Sequence, residues 1–165
     1  MQWHQPAPAK LNLFLHVGPV EADGYHPLCS LVAFADVGDI LTLDPEGQPG
    51  LSVVGPFAGD LTSDPAGQDA NLVMKAGAAL KQAAGLDTTS LSLTLDKRLP
   101  IAAGLGGGSS DAGAFLRLAS RYLSPDMDDA VLAGVAAGLG ADGPMCLDAR
   151  PAWAEGRGEI LTPEP

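Results

Sequence analysis

The chain has 165 residues, 46% of them apolar, with a mean hydropathy of +0.15; that is the size and composition of one domain able to bury its own core, and it excludes a disordered chain. Twenty acidic against nine basic residues give a formal charge of -11, which excludes nonspecific attraction to nucleic acid or anionic lipid. Any nucleotide must therefore be held by locally placed donors.

In chain order, residues 9–17 alternate as a strand, with Leu11, Leu13, Leu15 and Val17 on one face and Lys10, Asn12, Phe14 and His16 on the other. Gly18-Pro19 breaks it, and residues 21–27 read as a loop with a tight turn at Asp23-Gly24. Extended stretches are predicted at 28–34 and again at 40–43. Residues 45–69 are rich in Pro, Gly and Asp, contain one short strand at 51–54 and carry no chemical signal. Helical spacing begins at Asn71, with Leu72, Ala76, Ala79, Leu80 and Ala83 as an inward stripe and Gly85 as the stop. Residues 91–95 alternate as a strand. Ala112, Phe115, Leu116, Ala119 and Leu123 then define one helical face, for which Ser109 is the expected N-cap. Ser124-Pro125 reads as the N-cap and first residue of a further helix that ends near Gly138-Leu139-Gly140. The tail from 152 to 161 alternates weakly. This order predicts an α+β domain with helices on one face of a sheet.

Between the strand at 91–95 and the helix after it runs Pro100-Ile101-Ala102-Ala103-Gly104-Leu105-Gly106-Gly107-Gly108-Ser109-Ser110. Glycines let main-chain amides approach an anion closely, and a helix start adds unpaired amides and the positive end of its dipole. The tract reads as a phosphate cradle. It lacks the Lys-Ser/Thr of a Walker A loop, and it lies too far past the strand for a dinucleotide fingerprint.

Lys10 and Asp142 are the candidate catalytic pair. Asp142 follows Gly138-Leu139-Gly140-Ala141 and precedes Gly143-Pro144, a turn able to present a carboxylate. On local spacing alone the two read as a solvated turn aspartate and an exposed edge-strand lysine. Tyr25 and His26, on a glycine-flanked loop, are suited to hold a base through an aromatic face and a ring nitrogen. His4 and His16 have no partner at metal-ligand spacing and read as structural, and no metal-binding residues are assigned. Cys29 and Cys146 suit reduced thiols of a cytoplasmic protein. The first residues carry no export signal and no apolar run approaches membrane-spanning length, so a soluble, cytoplasmic chain without nucleic-acid or membrane partners is expected.

Residues 100–112 resemble the ATP loop of the GHMP kinase superfamily, which includes galactokinase, homoserine kinase, mevalonate kinase and phosphomevalonate kinase. Pro8-Ala9-Lys10-Leu11-Asn12-Leu13, Asp23-Gly24-Tyr25-His26 and the triple glycine before Ser109-Ser110 resemble one branch of it. That branch phosphorylates the tertiary hydroxyl of a cytidine-diphosphate methylerythritol in non-mevalonate isoprenoid synthesis. Gly140-Ala141-Asp142, Ala154-Glu155-Gly156 and Gly158-Glu159-Ile160-Leu161-Thr162 extend the likeness.

The resemblance implies a GHMP-kinase N-terminal domain over 1–165, with a mixed or antiparallel sheet and helices on one face. It implies ATP on residues 100–110, Mg2+ bridging the ATP phosphates, and Asn71 and Leu72 on the adenine side. Asp142 would be the base and Lys10 its electrostatic partner, with Asn12, Tyr25 and His26 at the small-molecule cytidine-diphosphate substrate. Two departures accompany it. Gly143 stands where a β-branched residue is usual, so a looser turn is expected. The superfamily's second domain lies beyond the point where this chain stops, which leaves open a noncatalytic nucleotide-binding module or truncated remnant, a different small-molecule kinase of the superfamily, or a homo-oligomer or partner chain that completes the cleft.

Overall fold

The computed structural model describes residues 1–62 and 71–164; the rest of the 45–69 stretch lies outside the described residues. Its strands are β1 (Trp3–Val17), β2 (Leu28–Leu43), β3 (Gly50–Val54), β4 (Ser92–Asp96), β5 (Ala152–Gly156) and β6 (Ile160–Pro163). Its helices are α1 (Ala58–Thr62), α2 (Leu72–Ala84), α3 (Gly107–Leu123), α4 (Asp129–Leu139) and α5 (Gly143–Asp148).

The two stretches expected at 28–34 and 40–43 are one continuous strand, β2, and it organises the sheet. One edge pairs with β1 along its length; the other pairs with β4 through Ile40–Leu43 and with β5 through Leu28–Val32, all antiparallel. The parallel β3–β4 pair makes the sheet mixed. β1 begins six residues before the alternation that announced it, because Pro6 and Pro8 sit on a strand with a single partner, where a missing amide is tolerated. Opposite them a Cβ at Gly38 would stand 2.3 Å from the Ala7 carbonyl oxygen, so glycine permits the strands to close where their register shifts.

Leu41 and Leu43 of β2 and Leu93 and Leu95 of β4 face α2, α3 and α4 through Val73, Leu80, Phe115, Leu116 and Leu132, all buried in one core. Burying each such side chain contributes roughly 1.5–3 kcal/mol. A second cluster of Val32, Met145, Cys146, Ala152 and Ala154 seats α5 on β2 and β5. Leu11, Leu13, Leu15 and Val17 are all exposed, and the register of β1 on β2 shifts between Asn12 and Phe14, inside the predicted alternation. No helix among the described residues is long and apolar enough to cross a membrane.

Two expected caps are corrected. The N-cap of α3 is Gly106, left-handed at φ 62°, and Ser109 lies inside the first turn. The glycine run winds into the helix because left-handed Gly106 turns the chain without any side-chain cap. Ser124 closes α3 rather than opening α4, its amide donating to the Ser120 carbonyl. The N-cap of α4 is Asp128, whose side chain accepts from the Ala130 amide, and that competing cap four residues later sets the boundary.

Candidate active site

The first half of the site is built from β1. Lys10 is only 5% exposed, contrary to the edge-strand alternative. Its amide donates to the Leu105 carbonyl at 2.8 Å, which ties the strand to the glycine loop. Its ammonium lies 3.3 Å from Asp142 Oδ1 and donates to Asn12 Oδ1 at 2.8 Å. Asn12 Nδ2 in turn donates to Ser30 Oγ at 2.7 Å, and that hydroxyl donates to the Phe14 carbonyl at 2.7 Å. Ser30, buried on β2, thus orients the Asn12 amide, a role that no motif in the sequence announces.

Asp142 stands at the N-cap position of α5 in a right-handed conformation, and its side chain makes no cap hydrogen bond. The carboxylate is left to face Lys10. The turn expected to be loose is tightly held: the Gly143 amide donates to the Gly140 carbonyl at 2.9 Å, and the Cys146 amide to the Asp142 carbonyl at 3.0 Å. A Cβ on Gly143 would fall 1.9 Å from the Ala136 carbonyl oxygen, so glycine lets α5 press directly onto α4. At the far end of α5, Arg117 of α3 donates to the carbonyls of Cys146 at 2.8 Å and Leu147 at 2.6 Å, and to Pro6 of β1 at 3.1 Å. One guanidinium therefore joins the elements that carry Lys10, the glycine loop and Asp142.

The glycine loop borders a cavity of about 280 Å³ lined by Asn71, Leu72, Lys97, Gly104, Gly106 and Asp111, among others. Gly104 and Gly106 take left-handed φ values of 75° and 62°. These conformations turn the chain so that the α3 amides end at the cavity, and a Cβ at Gly104 would meet nothing within 4 Å. Ser110 is fully buried, its hydroxyl donating to the Pro8 carbonyl at 2.7 Å, so it braces the loop against β1. Asn71, the N-cap of α2, accepts from the Val73 amide at 2.9 Å.

Beneath the loop is a buried charge cluster that the sequence reading missed. Lys97 Nζ is bonded to Asp39 and, at 2.8 Å, to Asp111. Asp39 Oδ1 also accepts from the amides of Arg98 at 2.6 Å and Leu99 at 2.8 Å. The cluster thereby fastens the segment entering the loop to the N-terminal half of the helix leaving it. Burial pushes the Asp111 carboxyl up to about 7, with Lys97 opposing and Asp39 adding to the effect. Lys97 is raised above its usual range by the two carboxylates, which outweigh its own burial. Asp111 Oδ1 has no hydrogen-bond partner.

A second cavity, of about 640 Å³, is lined by Tyr25, Gly140, Ala141, Pro144, Arg157 and Glu159. Tyr25 is 56% exposed, and His26 Nδ1 lies 2.8 Å from the Gly18 carbonyl oxygen, to which its N–H donates. Gly106 lines the first cavity and would bring a Cβ within 3.0 Å of Lys10, while Ala141, beside Asp142, lines the second. The Lys10–Asp142 pair is flanked by both. His4 and His16 lie apart from it, against Thr42 and Phe14.

Residues 71–150 match the family described as GHMP kinases N terminal domain. The fold recurs, at TM-score 0.70 but only 12% identity, in the Lactococcus lactis galactokinase crystallised with galactose, over 99% of this chain and 47% of that one. The chain belongs to the GHMP kinases. Within them it is a homologue of the 4-diphosphocytidyl-2-C-methyl-D-erythritol kinases. It is 54% identical to that kinase of Caulobacter vibrioides over 96% of this chain and 53% of the relative. It is 51% identical to that of Methylobacterium radiotolerans over 94% and 52%. A crystal structure of 4-(cytidine 5'-diphospho)-2C-methyl-D-erythritol kinase superposes with a TM-score of 0.75 at 37% identity, covering 98% of this chain and 55% of that one. The chain spans about half the length of the curated relatives it matches.

Proposed function

We propose that this chain carries the nucleotide-binding and catalytic face of a kinase that transfers the γ-phosphoryl group of ATP to the tertiary hydroxyl of 4-diphosphocytidyl-2-C-methyl-D-erythritol. The observation that carries the reading is the Lys10–Asp142 pair, 3.3 Å apart, held between a loop of helix-start amides and a cavity lined by an aromatic ring.

Asp142 accepts the hydroxyl proton as the alcohol oxygen bonds to the γ-phosphorus. The bond from that phosphorus to the β–γ bridging oxygen breaks, and ADP leaves. Lys10 faces both the carboxylate and the transferred group, and it offsets charge on the phosphoryl oxygens. Such transfers are catalysed mainly by positioning and charge stabilisation. The amides of Gly106, Gly107 and Gly108 and the Ser109 hydroxyl hold the phosphates, with Asn71 and Leu72 toward the base. Magnesium, brought with the nucleotide to the glycine loop, would supply charge neutralisation during the transfer. Tyr25 stacks on cytosine and His26 hydrogen-bonds it, while Asn12, tied at both ends, keeps Lys10 in place.

ADP release, followed with the cytidyl substrate, homoserine and mevalonate in parallel and paired with Mg-ATP titration, tests this. Turnover with the cytidyl substrate alone is expected. Nucleotide binding without turnover on any of them favours a noncatalytic module, and turnover on another alcohol assigns a different kinase.

A further inference from the structure

Tyr25 is more than half exposed, yet one face of its ring is occupied. The Arg157 guanidinium carbon lies 3.9 Å from the ring centroid. Arg157 also pairs with Asp23, and Asp23 Oδ1 accepts from the Tyr25 amide at 3.1 Å. The loop that carries Tyr25 closes on itself through Gly18 N to Pro27 O at 2.7 Å and Glu21 N to Tyr25 O at 2.7 Å. Arg157 reaches that loop from the β5–β6 turn, where its own amide donates to Glu159 Oε2 at 2.6 Å.

The same turn touches the other end of the site. A Cβ on Gly158, at φ 104°, would stand 3.1 Å from the Ala141 carbonyl oxygen and 3.2 Å from Met145 Cε. Residues 156–159 are therefore wedged between the Tyr25 ring and the segment that carries Asp142. A substrate with a base at one end and a reacting hydroxyl at the other needs these two ends at a fixed separation.

We infer that Arg157 is a positioning residue: stacked on one face of Tyr25 and anchored by Asp23, it presents the opposite face to a pyrimidine base at a set distance from Asp142. The inference rests on the cytidyl substrate proposed above. Arginine suits the task because a planar guanidinium lies flat on a ring while keeping donors free in its own plane, and a lysine ammonium, a compact point charge, cannot lie flat on it.

The test compares Arg157→Gln, Arg157→Lys and Asp23→Asn by substrate KM, CDP binding and the Tyr25 ring resonances of the ligand-free protein. Both Arg157 variants are expected to raise the cytidyl-substrate KM about two- to fivefold, a loss of the size given by a solvent-exposed cation–π contact, with the KM for ATP and kcat unchanged within error. Asp23→Asn is expected to move KM the same way, and adding it to Arg157→Gln to cost nothing more, as for residues acting through one contact. The Tyr25 ring resonances should shift in Arg157→Gln before any ligand is added. Full retention of affinity by Arg157→Lys, with tighter binding in Asp23→Asn, would show a direct contact to the diphosphate and overturn the inference; unmoved ring resonances would do the same. If CDP binds wild type and Arg157→Gln equally, the positioning role fails alone. If CDP does not bind wild type, the substrate reading fails and the role falls with it.

Discussion

Lys97 lies 2.8 Å from Asp111, and through that contact the segment that enters the glycine loop is fastened to the helix that leaves it. The cost of burying two carboxylates around one ammonium sets how this region answers to pH.

The sign follows from the Asp111 carboxyl, held up to about 7 in the fold, chiefly by burial, against an ordinary value of 3.8. The folded protein keeps a proton that the unfolded chain releases. Stability contributed by Asp111 is thus fully present below about pH 4 and is lost as pH rises to about 7, at a slope of up to ~1.4 kcal/mol per pH unit for one proton. Lys97 stays charged across this window, being raised from 10.5. Urea denaturation of wild type and Asp111→Asn from pH 4 to 8 checks this: the stability of wild type relative to the variant should fall through the window and level off above it. A difference that does not change with pH would contradict it.

Gly106 and Gly104 share a left-handed backbone but not a neighbourhood. Alanine at either position adds conformational strain of about 1–2 kcal/mol. At Gly106 the new Cβ would also stand 3.0 Å from Lys10 Cβ and 3.2 Å from Lys10 Cε, whereas at Gly104 it meets nothing within 4 Å. Gly106→Ala is expected to weaken Mg-ATP binding by about tenfold, equivalent to about 1.4 kcal/mol of that strain, and to lower kcat as Lys10 moves. Gly104→Ala should affect binding alone. Calorimetric titration and steady-state kinetics on the two variants separate these effects, and equal behaviour would remove Gly106 from its link to Lys10.

Gly143→Val puts a β-branched side chain at a place where a Cβ would fall 1.9 Å from the Ala136 carbonyl oxygen. Helices α4 and α5 must separate to admit it. A loss of about 1–3 kcal/mol is expected, as for other overpacked sites, with kcat falling more than Mg-ATP affinity because the displaced residue is Asp142. Thermal melts and kinetics check this; an unchanged melting temperature would contradict it.

The stripe from Ala112 to Leu123 and the alternation at 91–95 were readable because each element's buried face repeats within a single segment. The glycine tract was readable for its composition, and Lys10 and Asp142 through resemblance. Ser109 misled as a cap because a left-handed glycine opens the helix without a side chain. What stayed hidden depends on pairing between distant segments: Asp39 against Lys97, Ser30 against Asn12, Arg117 against the end of α5, Arg157 against Tyr25. Each of these residues looks locally like an ordinary polar position. The register of β2 against β1 and β4 brings Ser30 to Asn12 and Asp39 to Lys97, whereas Arg117 meets its partners where α3 packs on α5 and Arg157 where the β5–β6 turn meets the 18–27 loop.

Phosphoryl transfer from Mg-ATP to the cytidyl substrate, followed by phosphorus NMR in wild type, Asp142→Asn and Lys10→Met, reads the chemistry of the central ion pair directly. Asp142→Asn is expected to lower kcat by about 10²–10⁴-fold, the range for removing a general base, while Mg-ATP binding stays near wild type; Lys10→Met should lower kcat as well. A folded Asp142→Asn protein that transfers phosphate at the wild-type rate would contradict the role given to this pair.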